Sequence, residues 1–272
     1  MKRISWTSFI GLGLGLFFVI QGIIESHSPQ LFWNVPSFLV IIGGTTASLI
    51  YSFPGAYLKT LGSVIAKGFS AQKIDYARDI QNIVDISIIA RKNGVLALEN
   101  VAKEYDDDSF FQKGIQMIAD GFSKDALMKQ LKTEIHYIKQ RHSVGIEMVD
   151  MIASTVTSLG LMGTYIGLIP MLNHLDDPAA LGPLMSLELV SSFYGCFISY
   201  IMFGPLVRRL KGMDKAETTR NTLIMDGLCE VLEGKNPKLI EELLSAALNK
   251  KQIRRKQRDS ERTADVSSER LA

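Results

Sequence analysis

The chain has 272 residues, of which 47% are hydrophobic and 21% charged, and a mean hydropathy of +0.14. It is too long for one simple bundle and more apolar than most soluble proteins of its length, so a membrane protein is expected. The net charge of +2 identifies no partner class, because the placement of the charges carries the information.

The chain opens "MKRISWTSFIGLGLGLFFVIQGIIESH", a basic start followed by an apolar run. No small-x-small cleavage site follows, and a second apolar run comes soon after, so a retained span over 4–24 is expected rather than a signal peptide. Its glycines lack the third member and the preceding strand that a nucleotide-binding loop requires. Gly11, Gly15 and Gly22 share a helical face that lets a neighbouring helix come close. A second span is predicted over 35–53, where "IIGGTTAS" reads the same way. Each run is long enough to cross roughly 30 Å of hydrocarbon.

Residues 54–150 have no strand periodicity and are predicted to be a helical cytoplasmic domain. Leu127, Leu131, Ile135 and Ile138 form an apolar stripe amid lysines. That helix either continues into a third span at 151–172 or breaks near residues 143–145. A fourth span is predicted over 181–207, then cytoplasmic helices over 208–249 divided at "GKNP", and a disordered charged tail over 250–272. Lys and Arg number 2 before the first span, 13 in 54–150 and 15 in 208–272, with none in the two short connections. Both termini are therefore expected in the cytoplasm. Cys196 and Cys229 are expected to be free thiols. The four histidines are scattered without ligand spacing, and no nucleophile or phosphate-loop motif occurs. Neither an enzyme nor a resident cofactor or metal is expected.

Glu188 is the single charge in the fourth span. It shares a helical face with Ser191, Ser192, Gly195 and Ser199, while Ser154, Thr157 and Thr164 form a hydroxyl seam on the third span. Hydroxyls in membrane helices are either packing contacts or the lining of an ion route. A carboxylate facing lipid costs on the order of 3 kcal/mol, which favours an interior-facing Glu188 over one that reaches the outer surface.

Four spans with cytoplasmic ends, together with "PSFLVIIGGTTASLIYSFP", "ARKNGVLALE", "FFQKGIQMIADG", "LGLMGTYIGLIPML", "DDPAALGPLMSLELVSSFYG", "FGPLVRRLK" and "GKNP", resemble the MotA/PomA/MotP family of flagellar motor stator subunits. The resemblance runs from the first span to about Leu248. It implies an all-α inner-membrane protein that assembles as a pentamer around a dimer of peptidoglycan-binding B-type subunits. It also implies inward flow of Na+ (or H+) beside the partner's Asp and torque on the rotor switch protein FliG, with no nucleic acid involved. By position, Thr157, Thr164, Glu188, Ser191 and Ser192 would belong to the ion pathway and Arg91 and Glu99 to the rotor interface. Pro170 and Pro205 would belong to conformational coupling. Thr164 resembles the threonine of sodium-type members, and a hydroxyl oxygen suits a hard cation. Three positions depart from the family pattern: Thr157 stands in place of a proline, Pro170 is additional, and Glu188 replaces a small apolar residue. The alternatives are an ExbB/TolQ-like energy transducer and a non-conducting membrane scaffold.

Overall fold

A computed structural model describes residues 6–71, 74–105 and 108–246, with backbone alone at 178–180. The tail expected over 250–272 lies outside the described residues. Every extended element among those residues is a helix, and four helical stretches are long and apolar enough to cross a membrane: Trp6–Glu25, Pro29–Ser52, and parts of Lys124–Leu172 and Leu181–Leu232.

The first span is α1 (Trp6–Glu25). The second begins where Asn34 Oδ1 accepts from the Ser37 amide at 3.0 Å, a side-chain cap for one of the four unpaired amides of a helix start. It continues as α2 (Val35–Phe38), a π-helical segment (Leu39–Gly43) and α3 (Gly44–Ser52). Then come α4 (Gly55–Leu58), α5 (Leu61–Gly68), α6 (Tyr76–Asn93), α7 (Leu98–Ala102) and α8 (Ser109–Ala119). α9 (Lys124–Leu172) is one unbroken helix of 49 residues, so no break occurs near Ser143. α10 (Pro178–Phe197) passes through a second π-helical segment (Ile198–Phe203) into α11 (Gly204–Leu232), and α12 (Pro237–Ser245) follows. Pro205 lacks the amide that would bond the Ile201 carbonyl, and its ring crowds that oxygen. The helix is widened over the same turn.

The chain divides into two compact units, one of residues 1–72 with 141–214 and one of residues 73–140 with 215–272. Residues 54–72 and 141–150 thus group with the spans. In the first unit Ile41, Leu49, Ile152 and Val156 form one buried cluster, and Val149, Leu206, Val207 and Leu210 another. In the second unit Ile80, Ile83 and Ile86 of α6, Phe111, Ile115 and Ile118 of α8, and Leu127 and Leu131 of α9 close a core with Ile224 and Leu228 of α11 and Ile240 and Leu244 of α12. The predicted stripe on α9 faces this core, with Ile135 and Ile138 packed at its margin. Cys229 is buried there, and both cysteines are free.

Of the glycines expected to admit a neighbour in α1, Gly15 alone does so. A Cβ there would lie 3.1 Å from Ile201, whereas one at Gly11 or Gly22 would meet nothing within 4 Å.

Candidate functional site

In the first unit α9 and α10 approach through a line of small residues. A Cβ added at Gly160 would lie 2.8 Å from Gly195 Cα and 3.0 Å from the Ser191 carbonyl. One added at Gly163 would lie 2.5 Å from Ser191 Oγ, and one at Gly167 would lie 2.9 Å from both the Glu188 amide nitrogen and the Leu184 carbonyl. Gly160, Gly163 and Gly167 occupy one side of α9, at spacings that bring backbones together as in other membrane helix pairs.

This contact divides the predicted polar stripe of α10. Ser191, Gly195 and Ser199 are buried, Glu188 is half-buried and Ser192 is exposed. Ser191 Oγ donates to Ser37 Oγ at 2.8 Å, and Ser37 Oγ lies 3.3 Å from the Leu187 carbonyl. The hydroxyl of Ser191 is thus buried at the contact of α2, α9 and α10. The glycine face of α9 causes this, because it draws in the α10 face with the smallest side chains. Tyr194 Oη also ties α10 to the second span, donating to the Phe32 carbonyl.

The hydroxyl seam on α9 is arranged differently. Thr157 and Thr164 are half-buried, and Ser154 and Ser158 are exposed. Each hydroxyl donates back into its own helix: Thr157 to the Ala153 carbonyl at 3.1 Å, Thr164 to Leu161 at 2.6 Å, Ser158 to Ser154 at 3.1 Å. With the hydrogen directed inward, the oxygen lone pairs are turned outward, and an oxygen with free lone pairs is what a cation requires. Among the described residues no hydrogen bond or ion pair joins Glu188, Ser192, Thr157 and Thr164 to one another. Glu188 rests its Cβ near Gly167.

Pro170 lies in the last turn of α9, two residues before its end. The Pro170 carbonyl accepts from the amide of Asn173, and His174 Nδ1 lies 2.9 Å from it. This proline therefore accompanies the end of the helix and does not bend its middle. Pro205 adjoins the π-helical turn described above.

In the second unit Arg91 is exposed in the last turn of α6, and the chain then turns through Gly94 at φ +81°, a left-handed conformation that favours glycine. Glu99 is exposed in the first turn of α7 and pairs with Lys103 at 3.4 Å. Leu96 between them is 77% exposed. Within the same unit Arg220 of α11 grips Asp79 of α6 through Nε (2.7 Å) and Nη2 (2.8 Å), and its Nη2 reaches Asp108 at 2.5 Å. These carboxylates, Asp79 foremost, hold the guanidinium pKa above its ordinary value against the opposing effect of burial. The partners are 141 and 112 residues away in sequence, so no local pattern identified them. Ser37 and the glycine line were also missed, although the Gly160-x-x-Gly163 spacing was there to be read.

The sequence model of the MotA/TolQ/ExbB proton channel family matches residues 102–222. Chemotaxis protein PomA of Vibrio alginolyticus is 32% identical over 243 residues, covering 89% of this chain and 94% of the relative. The chain belongs to the MotA/TolQ/ExbB proton channel family. Motility protein A of Cereibacter sphaeroides is 31% identical, covering 89% of this chain and 95% of its own length. The flagellar MotAB stator complex from Bacillus subtilis contains a chain that superposes with a TM-score of 0.83 at 29% identity, over 91% of this chain and 97% of that one. The family match takes in the Gly160–Gly195 contact, the α9 hydroxyls, Ser192 and Arg220. Membership in this family and the four apolar helices make the chain a multi-pass membrane protein.

Proposed function

We propose that this chain is the A-type stator subunit of a flagellar motor, which forms an ion channel with a single-span B-type subunit and converts cation flow into torque. It sits in the inner membrane with both termini in the cytoplasm, in keeping with the basic residues counted above. Five copies surround a B-type dimer that is anchored to peptidoglycan and carries the ion-binding Asp. One elementary charge crossing 100 mV releases about 2.3 kcal/mol, the unit of work available per ion.

The observation that carries this reading is the seam of α9, where Thr157 and Thr164 spend their hydrogens on their own helix and turn their oxygens outward. A cation passing the B-type carboxylate exchanges water for such oxygens, and Na+ is the ion proposed. Ser192 and Glu188 complete the route from α10. Ser191 supports it from behind by fixing α10 to Ser37. Replacing Thr164 with Ala lowers swimming speed several-fold at limiting sodium, and added sodium restores it. Swimming measured in graded sodium at fixed pH checks this; an unchanged curve rejects sodium coupling through Thr164. Glu188→Gln raises the sodium concentration needed for half-maximal speed in the same assay.

Arg91, Leu96 and Glu99 form the face offered to the rotor switch protein FliG, and Pro205 with its widened turn takes part in transmitting the ion step. Charge reversal at Arg91 slows swimming while leaving the amount of assembled complex unchanged, because the side chain is exposed and carries no packing. Motility plates and quantitation of the membrane complex in the same cells separate these effects.

A further inference from the structure

A cavity of about 290 Å³ lies in the first unit, lined by Thr7, Ser8 and Gly11 of α1, Phe69 after α5, and Ile201 and Arg209 from the helix that follows α10. The Phe9 and Phe69 rings pack 5.1 Å apart beside it. Arg209 donates through Nη2 to the Ser70 carbonyl at 2.9 Å. Its Nε is buried and has no hydrogen-bond partner among the described residues. No carboxylate there lies within ion-pair distance of it, whereas nearby Lys211 is paired with Asp150 at 2.9 Å. A guanidinium with a buried, unsatisfied N–H is costly unless an anion meets it. Its planar donors suit a phosphate.

The depth of the cavity identifies that phosphate. In the orientation proposed above, on which this step rests, Arg208 and Arg209 are the first basic residues after the fourth span and Thr7 lies at the start of the first. Both mark the headgroup level of the cytoplasmic leaflet. The walls beyond Arg209 are apolar, from Leu12 to Ile201 and Met202. They offer nothing to a hydrated free anion and a favourable surface to an acyl chain. We propose that this cavity holds an anionic phospholipid of the cytoplasmic leaflet, its phosphate on Arg209 beside the hydroxyls of Thr7 and Ser8 and the start of its acyl chain along Gly11 and Ile201.

The test uses the full chain purified in mild detergent, with dioleoyl-phosphatidylglycerol or dioleoyl-phosphatidylcholine added and retained lipid counted by native mass spectrometry. Phosphatidylglycerol is retained in preference to phosphatidylcholine, and Arg209→Gln weakens its retention about tenfold, the loss of one charge-assisted hydrogen-bonded anchor. Gly11→Leu leaves Arg209 intact and fills space where a Cβ meets nothing within 4 Å. It displaces the lipid as well, so the site is read even if the arginine variant folds poorly. Equal retention of the two lipids, or unchanged phosphatidylglycerol in the two variants, overturns the proposal. Competition by inorganic phosphate alone overturns it too, marking a free-anion site. A reporter fused to the C-terminus reads the orientation separately, so that a cytoplasmic terminus with no lipid retention counts against the lipid site alone.

Discussion

Replacing Arg220 with Ala destabilises the second unit by about 3–5 kcal/mol, the usual cost of removing one member of a buried ion pair. Arg220 bridges two acidic side chains on different helices, and Asp79 is only 7% exposed. Without the guanidinium, two carboxylates face one desolvated space. Asp108 has a second task, since its Oδ1 accepts from the Phe111 amide at 3.2 Å and caps α8, where the helix dipole also favours its charge. Lysine at position 220 recovers only part of the loss, because a single ammonium lacks the fork that holds both oxygens of Asp79 while reaching Asp108. Because the pKa of Arg220 is raised on folding, its contribution is fully present below the unfolded value and is lost only as pH rises through the folded one. The contribution is therefore constant across the physiological range. Hydrogen exchange in the amides of α6 and α11 reads the effect directly. The combination Arg220→Leu, Asp79→Leu and Asp108→Asn, which removes the charges together and keeps the α8 cap, recovers most of the protection.

Gly160→Val disrupts the pairing of α9 with α10 and abolishes motility. The new Cβ meets backbone on the opposing helix, Gly195 Cα at 2.8 Å and the Ser191 carbonyl at 3.0 Å. No change of rotamer relieves that, so the helices must separate. Overpacking of this kind costs about 1–3 kcal/mol in general. Separation here also opens the buried contact that encloses the Ser191–Ser37 hydrogen bond. The expected result is a several-fold lower level of complex in the membrane and a lower melting temperature in detergent. Gly22→Ala provides the control, because nothing lies within 4 Å of the added carbon. Normal complex level and melting in Gly160→Val would reject the close approach of α9 and α10.

The four apolar helices were legible because hydrocarbon imposes length and composition on each helix separately. The apolar stripe of Leu127 and Leu131 was legible because its period is that of one helix. Ser191 shows where such reading stops. Ser191 and Ser192 are neighbours of one chemical type, and periodicity puts both near one polar face, yet one is sealed against Ser37 and the other is exposed. Which of the two is sealed depends on the side that α10 turns toward α9, and Ser191 lies on the side that meets Gly160 and Gly163.

By itself, the sequence determined an all-helical membrane chain with a hydroxyl seam along α9 and a carboxylate inside α10, since these follow from the order of residues on single helices. The tertiary structure alone decided that Ser191 is buried against Ser37 and that Arg220 joins Asp79 to Asp108. Each depends on residues far apart in the chain, brought together by the burial of faces whose partners no single-helix pattern specifies.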